Sequence, residues 1–267
     1  MNILIIGGGN MGITYANSFL RSHIVTQESL MILEKNENKA KELESASVGK
    51  IYTNSVECIN NADLVIFAVK PQDSAELLKS ISRNLNSQQV FLTIMAGIKI
   101  NTIAEALGVN KIIRAMPNLP AQIGMGMTVF TSTDEVTRIE LIMVQNLLNT
   151  TGKAIYVEKE SLLDSATAIS GSGPAYVFYF MQSIMKAAEA MGFTATEAEL
   201  LTWQTFMGAI DLYHKNSYTC AEWIKMVSSP GGTTEAAMAY FLENEVARHL
   251  QGGAHAALNR ARELGKQ

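Results

Sequence analysis

From its amino end the chain alternates short apolar runs with amphipathic segments. Residues 2–6 predict a first strand, ended sharply by Gly7, Gly8 and Gly9. Residues 11–20 then carry apolar side chains at helical spacing, with Met11, Tyr15 and Phe19 on one row and Ile13, Ala16 and Leu20 beside it. Residues 30–33 predict a second strand. Residues 36–46 predict a charged helix, in which Glu37 and Lys41 stand four apart and can pair. Residues 64–69 are apolar at every position and stop at Lys70 and Pro71, as a strand covered on both faces does. Residues 90–94 and 111–115 repeat the pattern, each with a helical segment nearby. Strands alternating with helices predict a doubly wound, Rossmann-type parallel sheet.

The pattern changes after about residue 160. Strand-like runs stop, and long helical stretches follow over residues 174–191, 196–215 and from 233 to the C-terminus. Pro174 sits where a helix begins, after Ser172 and Gly173. The expected organisation is an α/β domain over residues 1–160 and an all-helical domain over 161–267.

Composition narrows the function classes. Among 267 residues, 48% are hydrophobic and 17% charged, too apolar for a disordered chain. The charged fraction lies below the roughly 25% of ordinary globular proteins. A net charge of -4 argues against a nucleic-acid-binding surface. No apolar run approaches the roughly 20 residues of a membrane-spanning helix. The two cysteines, Cys58 and Cys220, form no CxxC and no ligand cluster, so neither zinc nor a disulfide framework is expected. The segment MNILIIGGG has no basic stretch ahead of its apolar one and is expected to be a strand rather than a leader. Together these features point to the cytoplasm.

The first glycines carry the clearest chemistry. Gly7, Gly9 and Gly12 form G-x-G-x-x-G in GGGNMG, between a predicted strand and a predicted helix. That context makes the motif a dinucleotide-phosphate loop: a tight turn, a close backbone approach and a helix N-terminus offering free N–H groups. An acidic residue about 20 positions on grips the ribose diol in NAD sites. Glu34 lies at that position, but Lys35 follows it and is a candidate ligand for the extra phosphate of NADPH. Either NADH or NADPH is therefore open. Lys70 and Pro71, Ala96 and Gly97, and Asn118 follow apolar runs and are expected at the carboxyl edge of the sheet, where ligands bind. For Asn118, between Pro117 and Pro120, a purely turn-stabilising role is equally open. In the helical half, the stretch from Ser228 to Thr234 reads SSPGGTT, placing hydroxyls and backbone N–H groups before a helix, a suitable cradle for a carboxylate.

The combination resembles the pyrroline-5-carboxylate reductase family over essentially the full length. The matching stretches are GGGNMG from Gly7, AVKPQ from Ala68, MAGI from Met95, RAMPNLPAQIGMGMT from Arg114, SGSGPAYVF from Ser170 and SSPGGTT from Ser228. The resemblance implies reduction of the cyclic imine pyrroline-5-carboxylate to L-proline, the last step of proline synthesis, with NADPH or NADH. It implies that the helical domain interlocks with that of a second copy, the substrate site forming at this dimer interface, and that dimers can assemble further. By the same resemblance Gly7, Gly9, Asn10, Met11 and Gly12 hold the phosphates. Glu34, Lys35 and Asn54 or Ser55 face the adenine ribose, and Val69, Lys70, Pro71, Ala96, Gly97 and Asn118 line the nicotinamide half. Ser229, Gly231, Gly232, Thr233 and Thr234 hold the substrate, with the Thr234 hydroxyl near the ring nitrogen as the catalytic group. Departures from the family pattern occur at Cys220–Trp223, where a proline and a leucine are common, and at Leu119, where a threonine is common.

The low charge is local. Between Ser161 and Thr196 only Asp164, Lys186 and Glu189 are charged. An apolar helix of this kind is seldom left exposed, so the segment 174–191 is expected to meet the partner chain.

Overall fold

The structure, a computed structural model, describes residues 1–265. β1 (Ile3–Ile6) turns through the glycines into α1 (Asn10–Arg21), and β2 (Leu30–Leu33) leads to α2 (Glu37–Ser45) and β3 (Lys50–Tyr52). β4 (Leu64–Phe67), α3 (Ser74–Ile81), β5 (Val90–Thr93), α4 (Ile100–Leu107) and β6 (Ile112–Met116) follow. Every residue of β1, β2, β4 and β5 is buried, as sequences apolar throughout, or in β5 up to Thr93, require. Successive residues serve opposite faces of the sheet. Ile3 and Ile5 pack with Tyr15 and Phe19 of α1, whereas Leu4 and Ile6 belong to the cluster containing Leu78 of α3 and Ile103 of α4.

The sheet has eight strands in the order β3-β2-β1-β4-β5-β6-β7-β8. It is parallel through β6. β7 (Gly126–Ser132) runs antiparallel to β6, and β8 (Gly152–Tyr156), reached through α5 (Arg138–Asn149), is parallel to β7. Strand order reverses between β1 and β4, so the crevice beyond their carboxyl ends is a topological switch point.

β3, β7 and β8 have no counterpart in the apolar pattern, for physical reasons. β7 buries Thr128 and Thr131 beside Val129 and Phe130, so its buried stretch is half polar and reads as no apolar run. β3 and β8 are the two edges, and β8 buries only Ala154.

After α6 (Leu162–Ala166) a π-helical turn, Thr167–Gly171, opens into α7 (Gly173–Ala190), with Pro174 in its first turn. α8 (Ala195–His214), α9 (Cys220–Val227), α10 (Thr233–Glu243) and α11 (Val246–Leu264) complete the chain. The single helix expected from residue 233 onward is two helices, interrupted at Asn244 and Glu245, where Glu245 adopts a φ of 49°.

The chain forms two compact units. One comprises Met1–Ser172 with the chain from Ala257 onward; the other is Gly173–Ala256. The expected boundary near residue 160 thus compares with a first unit that runs to Ser172 and takes in the end of α11. Within residues 173–256 only Ala198 and Thr202 are buried. Among the described residues, no helix is long and apolar enough to cross a membrane.

Candidate functional site

In the first unit the glycine loop is shaped by close backbone packing. Gly7 has a φ of 106°, a left-handed conformation that other residues rarely adopt, and its N–H donates to the Leu33 carbonyl at 2.9 Å. A Cβ on Gly12 would collide with the Gly7 carbonyl oxygen, so α1 can lie this close to β1 only with glycine there. A Cβ on Gly9 meets nothing nearer than the Ala68 carbonyl oxygen at 4.0 Å. Gly9 therefore faces open space, which is the room a phosphate needs. Gly9 is also the residue before α1, with no side-chain cap, so the helix's first N–H groups are unused by the chain.

Gly7, Gly9, Glu34, Lys35, Ser55, Val69 and Lys70 line one cavity of about 400 Å³ at this sheet edge. Of the sequence-derived cofactor residues these are brought together directly. Thr53, rather than Asn54, reaches the cavity with Ser55. The Asn54 side chain instead accepts from the Val56 N–H at 3.1 Å. Asn10 opens on a neighbouring groove that shares Gly9 and Lys39 with the first. Lys39, Asp73, Glu76 and Ser80 also line the cavity of about 400 Å³ and are not marked by the sequence pattern; only their fold position reveals them.

Glu34 is the buried charge of this site. Its Oε2 accepts from the Gly8 N–H at 3.0 Å and its Oε1 from the Asn36 N–H at 2.9 Å. Lys35 reaches Asp73 at 3.6 Å, an exposed pair.

Asn118 and Gly97 carry structural work in this unit. Asn118 accepts from the Met127 N–H at 2.8 Å and donates to the Ser170 carbonyl at 3.1 Å, tying β7 to the π-helical turn. Gly97, at a φ of 78°, lies against Leu264 at the end of α11, where a Cβ would come within 3.2 Å of backbone. Neither residue is among those lining the two cavities.

In the second unit the SSPGGTT stretch joins α9 to α10. Gly231 has a φ of 70°, and Gly232 is the residue before α10, with no side-chain cap. A Cβ on Gly232 would press within 2.5 Å of the Ser229 Oγ. The loop is closed by Gly232 N–H donating to the Ser229 carbonyl at 2.9 Å. Glu235, which sequence reasoning missed, accepts from the Gly231 N–H at 2.7 Å. The uncapped N-terminus of α10 leaves the Thr233 and Thr234 N–H groups for an anion. Upstream, Glu222 closes a capping box with Thr219 at the start of α9. The hydrogen bonds from the Thr219 N–H and hydroxyl hold its carboxyl below the usual range.

With this geometry established, likeness to known proteins is informative. The pyrroline-5-carboxylate reductase dimerisation model matches residues 160–264. The model for NADP oxidoreductase, coenzyme F420-dependent, matches residues 2–97. Pyrroline-5-carboxylate reductase 2 of Bacillus subtilis is 35% identical over 87% of this chain and 84% of its own length. A pyrroline-5-carboxylate reductase structure from Coxiella burnetii superposes with a TM-score of 0.91 at 29% identity, covering 100% of this chain and 99% of that one. The Plasmodium falciparum pyrroline carboxylate reductase with NADP bound gives 0.89 at 25% identity, covering 99% and 98%.

Proposed function

We infer that this chain, which belongs to the pyrroline-5-carboxylate reductase family, reduces 1-pyrroline-5-carboxylate to L-proline at the expense of NADH or NADPH. The observation that carries the reading is the pairing, in one chain, of a dinucleotide loop at a switch point with an uncapped hydroxyl- and glycine-rich helix start.

The glycine loop fits a dinucleotide, because Gly9 leaves space where a side chain would stand and α1 presents unused N–H groups. When bound, the dinucleotide supplies the hydride that the imine carbon accepts. Gly7, Gly9, Asn10, Met11 and Gly12 hold its phosphates. Glu34, Lys35 and Ser55 serve the ribose side, with Asn54 capping the turn that carries Ser55, and Val69, Lys70, Pro71 and Ala96 flank the nicotinamide half. Gly97 and Asn118 act on that half by holding its surroundings in place.

The N–H groups around Ser229, Gly231, Gly232 and Thr233 take the substrate carboxylate, as the electrostatics of a helix N-terminus favour. The Thr234 hydroxyl orients the ring nitrogen. Reduction adds a hydride at the carbon and leaves the nitrogen needing a proton if it was neutral. A hydroxyl at that atom can hand on a proton drawn from water. Most of the acceleration then comes from holding the reacting carbon in place. Residues 173–256 act within a homodimer, which can associate further, in the cytoplasm.

The test is dinucleotide oxidation on addition of pyrroline-5-carboxylate. The protein is expected to turn over with NADH or NADPH, and Thr234→Ala to lose about 10²-fold in kcat, with Thr234→Ser retaining most activity. A folded protein inactive with both dinucleotides would overturn the reading.

A further inference from the structure

The reaction can draw on either dinucleotide, and the chain's own charges decide which. Glu34 is only 9% exposed and lines the cavity at the end of β2. Both its oxygens accept from backbone N–H groups, those of Gly8 and Asn36, and these fix the carboxylate without bringing a neutralising charge. Among the described residues Glu34 has no salt-bridge partner. A Cβ on Gly8 would come within 3.0 Å of its Oε2, so the loop is built around this side chain. A carboxylate offers about four acceptor positions. Two are filled, which leaves as many as a ribose diol requires.

The competing cations are poorly placed to reverse this. Lys35 is 78% exposed at its side chain and turns to Asp73. Lys39 and Lys70 also line the cavity, but so do Asp73 and Glu76. Among the described residues no arginine lines this cavity. A dianionic 2′-phosphate would need surplus positive charge, preferably in a bidentate fork, and instead meets a fixed buried carboxylate. We propose that this site selects NADH over NADPH, with Glu34 as the specificity-determining residue: its carboxylate accepts from the ribose hydroxyls and repels a 2′-phosphate.

The inference rests on the dinucleotide reading of the glycine loop, and its test needs no imine. Titration calorimetry of the unmodified protein with NADH and NADPH, and with ADP-ribose and its 2′-phosphate, is expected to give at least about tenfold tighter binding of the unphosphorylated member of each pair. Glu34→Gln should narrow that ratio about tenfold or more, through a gain in affinity for the phosphorylated ligands. Equal or tighter binding of NADPH by the unmodified protein would overturn the proposal. So would a Glu34→Gln variant that weakens all four ligands equally, since the carboxylate would then only brace the loop. Failure of both dinucleotides to bind would overturn the loop's reading as well, whereas binding without turnover would count only against the reaction.

Discussion

Gly9 and Gly12 sit three residues apart in one motif, yet a methyl group would act differently at each. At Gly12 it strikes the Gly7 carbonyl, so helix and strand must separate. Gly12→Ala is expected to lower stability by about 1–3 kcal/mol, read by urea denaturation, and to lose dinucleotide binding with it. At Gly9 the methyl meets only the Ala68 carbonyl oxygen, at 4.0 Å, and the φ of -70° suits alanine. Gly9→Ala should change stability by less than about 1 kcal/mol and still weaken dinucleotide binding, because the methyl occupies the phosphate's space. If the two variants lost stability equally, this division of roles would be wrong. Such roles are legible from spacing, because the motif is local. Glu34 could likewise be placed by counting from Gly12. Asn118 could not be resolved the same way: its partner Ser170 lies far along the chain, and only folding brings the π-helical turn beside it. Glu235 escaped notice because a glutamate in a first helical turn is ordinary, and its bond to Gly231 depends on the loop's left-handed bend.

Individual elements are held by similar devices. Arg114 of β6 is buried and pairs with Glu160 at 2.8 Å and Asp164 at 3.4 Å, while Glu160 also accepts from the Ile100 N–H at 2.9 Å. One guanidinium thus fixes β6, the start of α4 and the approach to α6. Arg114→Met leaves two carboxylates facing each other without a cation and is expected to destabilise the first unit by about 3–5 kcal/mol in urea. A second device gives a pH signature. The Glu222 carboxyl is held low by hydrogen bonds from Thr219, so its contribution to α9 is present above the ordinary glutamate pKa and fades as pH falls through the lowered one. Glu222→Ala should therefore lower the melting temperature near about pH 7, with the difference from the unmodified protein vanishing near about pH 2. A difference that persisted unchanged in acid would assign the loss to packing instead. Elements with uniform environments were the legible ones: β1, β2, β4 and β5 are buried on both faces and read as apolar runs. β7 hides threonines in the core and β8 is an exposed edge, so neither carries a pattern that hydrophobicity alone can reveal.

At the scale of the molecule, the second unit cannot be stable as a single copy. Across Gly173–Ala256 only Ala198 and Thr202 are buried, whereas Phe178 is 59%, Tyr179 68% and Leu242 76% exposed. A helical unit of this size needs a core to offset chain entropy, and the side chains able to form one point outward. Composition located α7 as the surface to be covered, since its stretch is nearly uncharged. It could not locate α8 and α10, where charged residues share the helix with exposed Leu200, Trp203 and Tyr240. The apolar faces therefore span α7, α8 and α10 together with α9, which exposes Met226 and Val227, and a second copy meeting them would complete a core that neither copy has alone. Two consequences can be measured. Sedimentation should show a dimer or larger assembly at micromolar concentration, and the melting temperature should rise with protein concentration, because association is coupled to folding. Phe178→Asp places a charge in the expected interface. It should shift the sedimentation equilibrium toward monomer and lower the melting temperature, while the first unit, whose core is closed within itself, still binds NADH. A monomer with a concentration-independent melting temperature would show that these exposed side chains need no partner, contrary to what their number and exposure require.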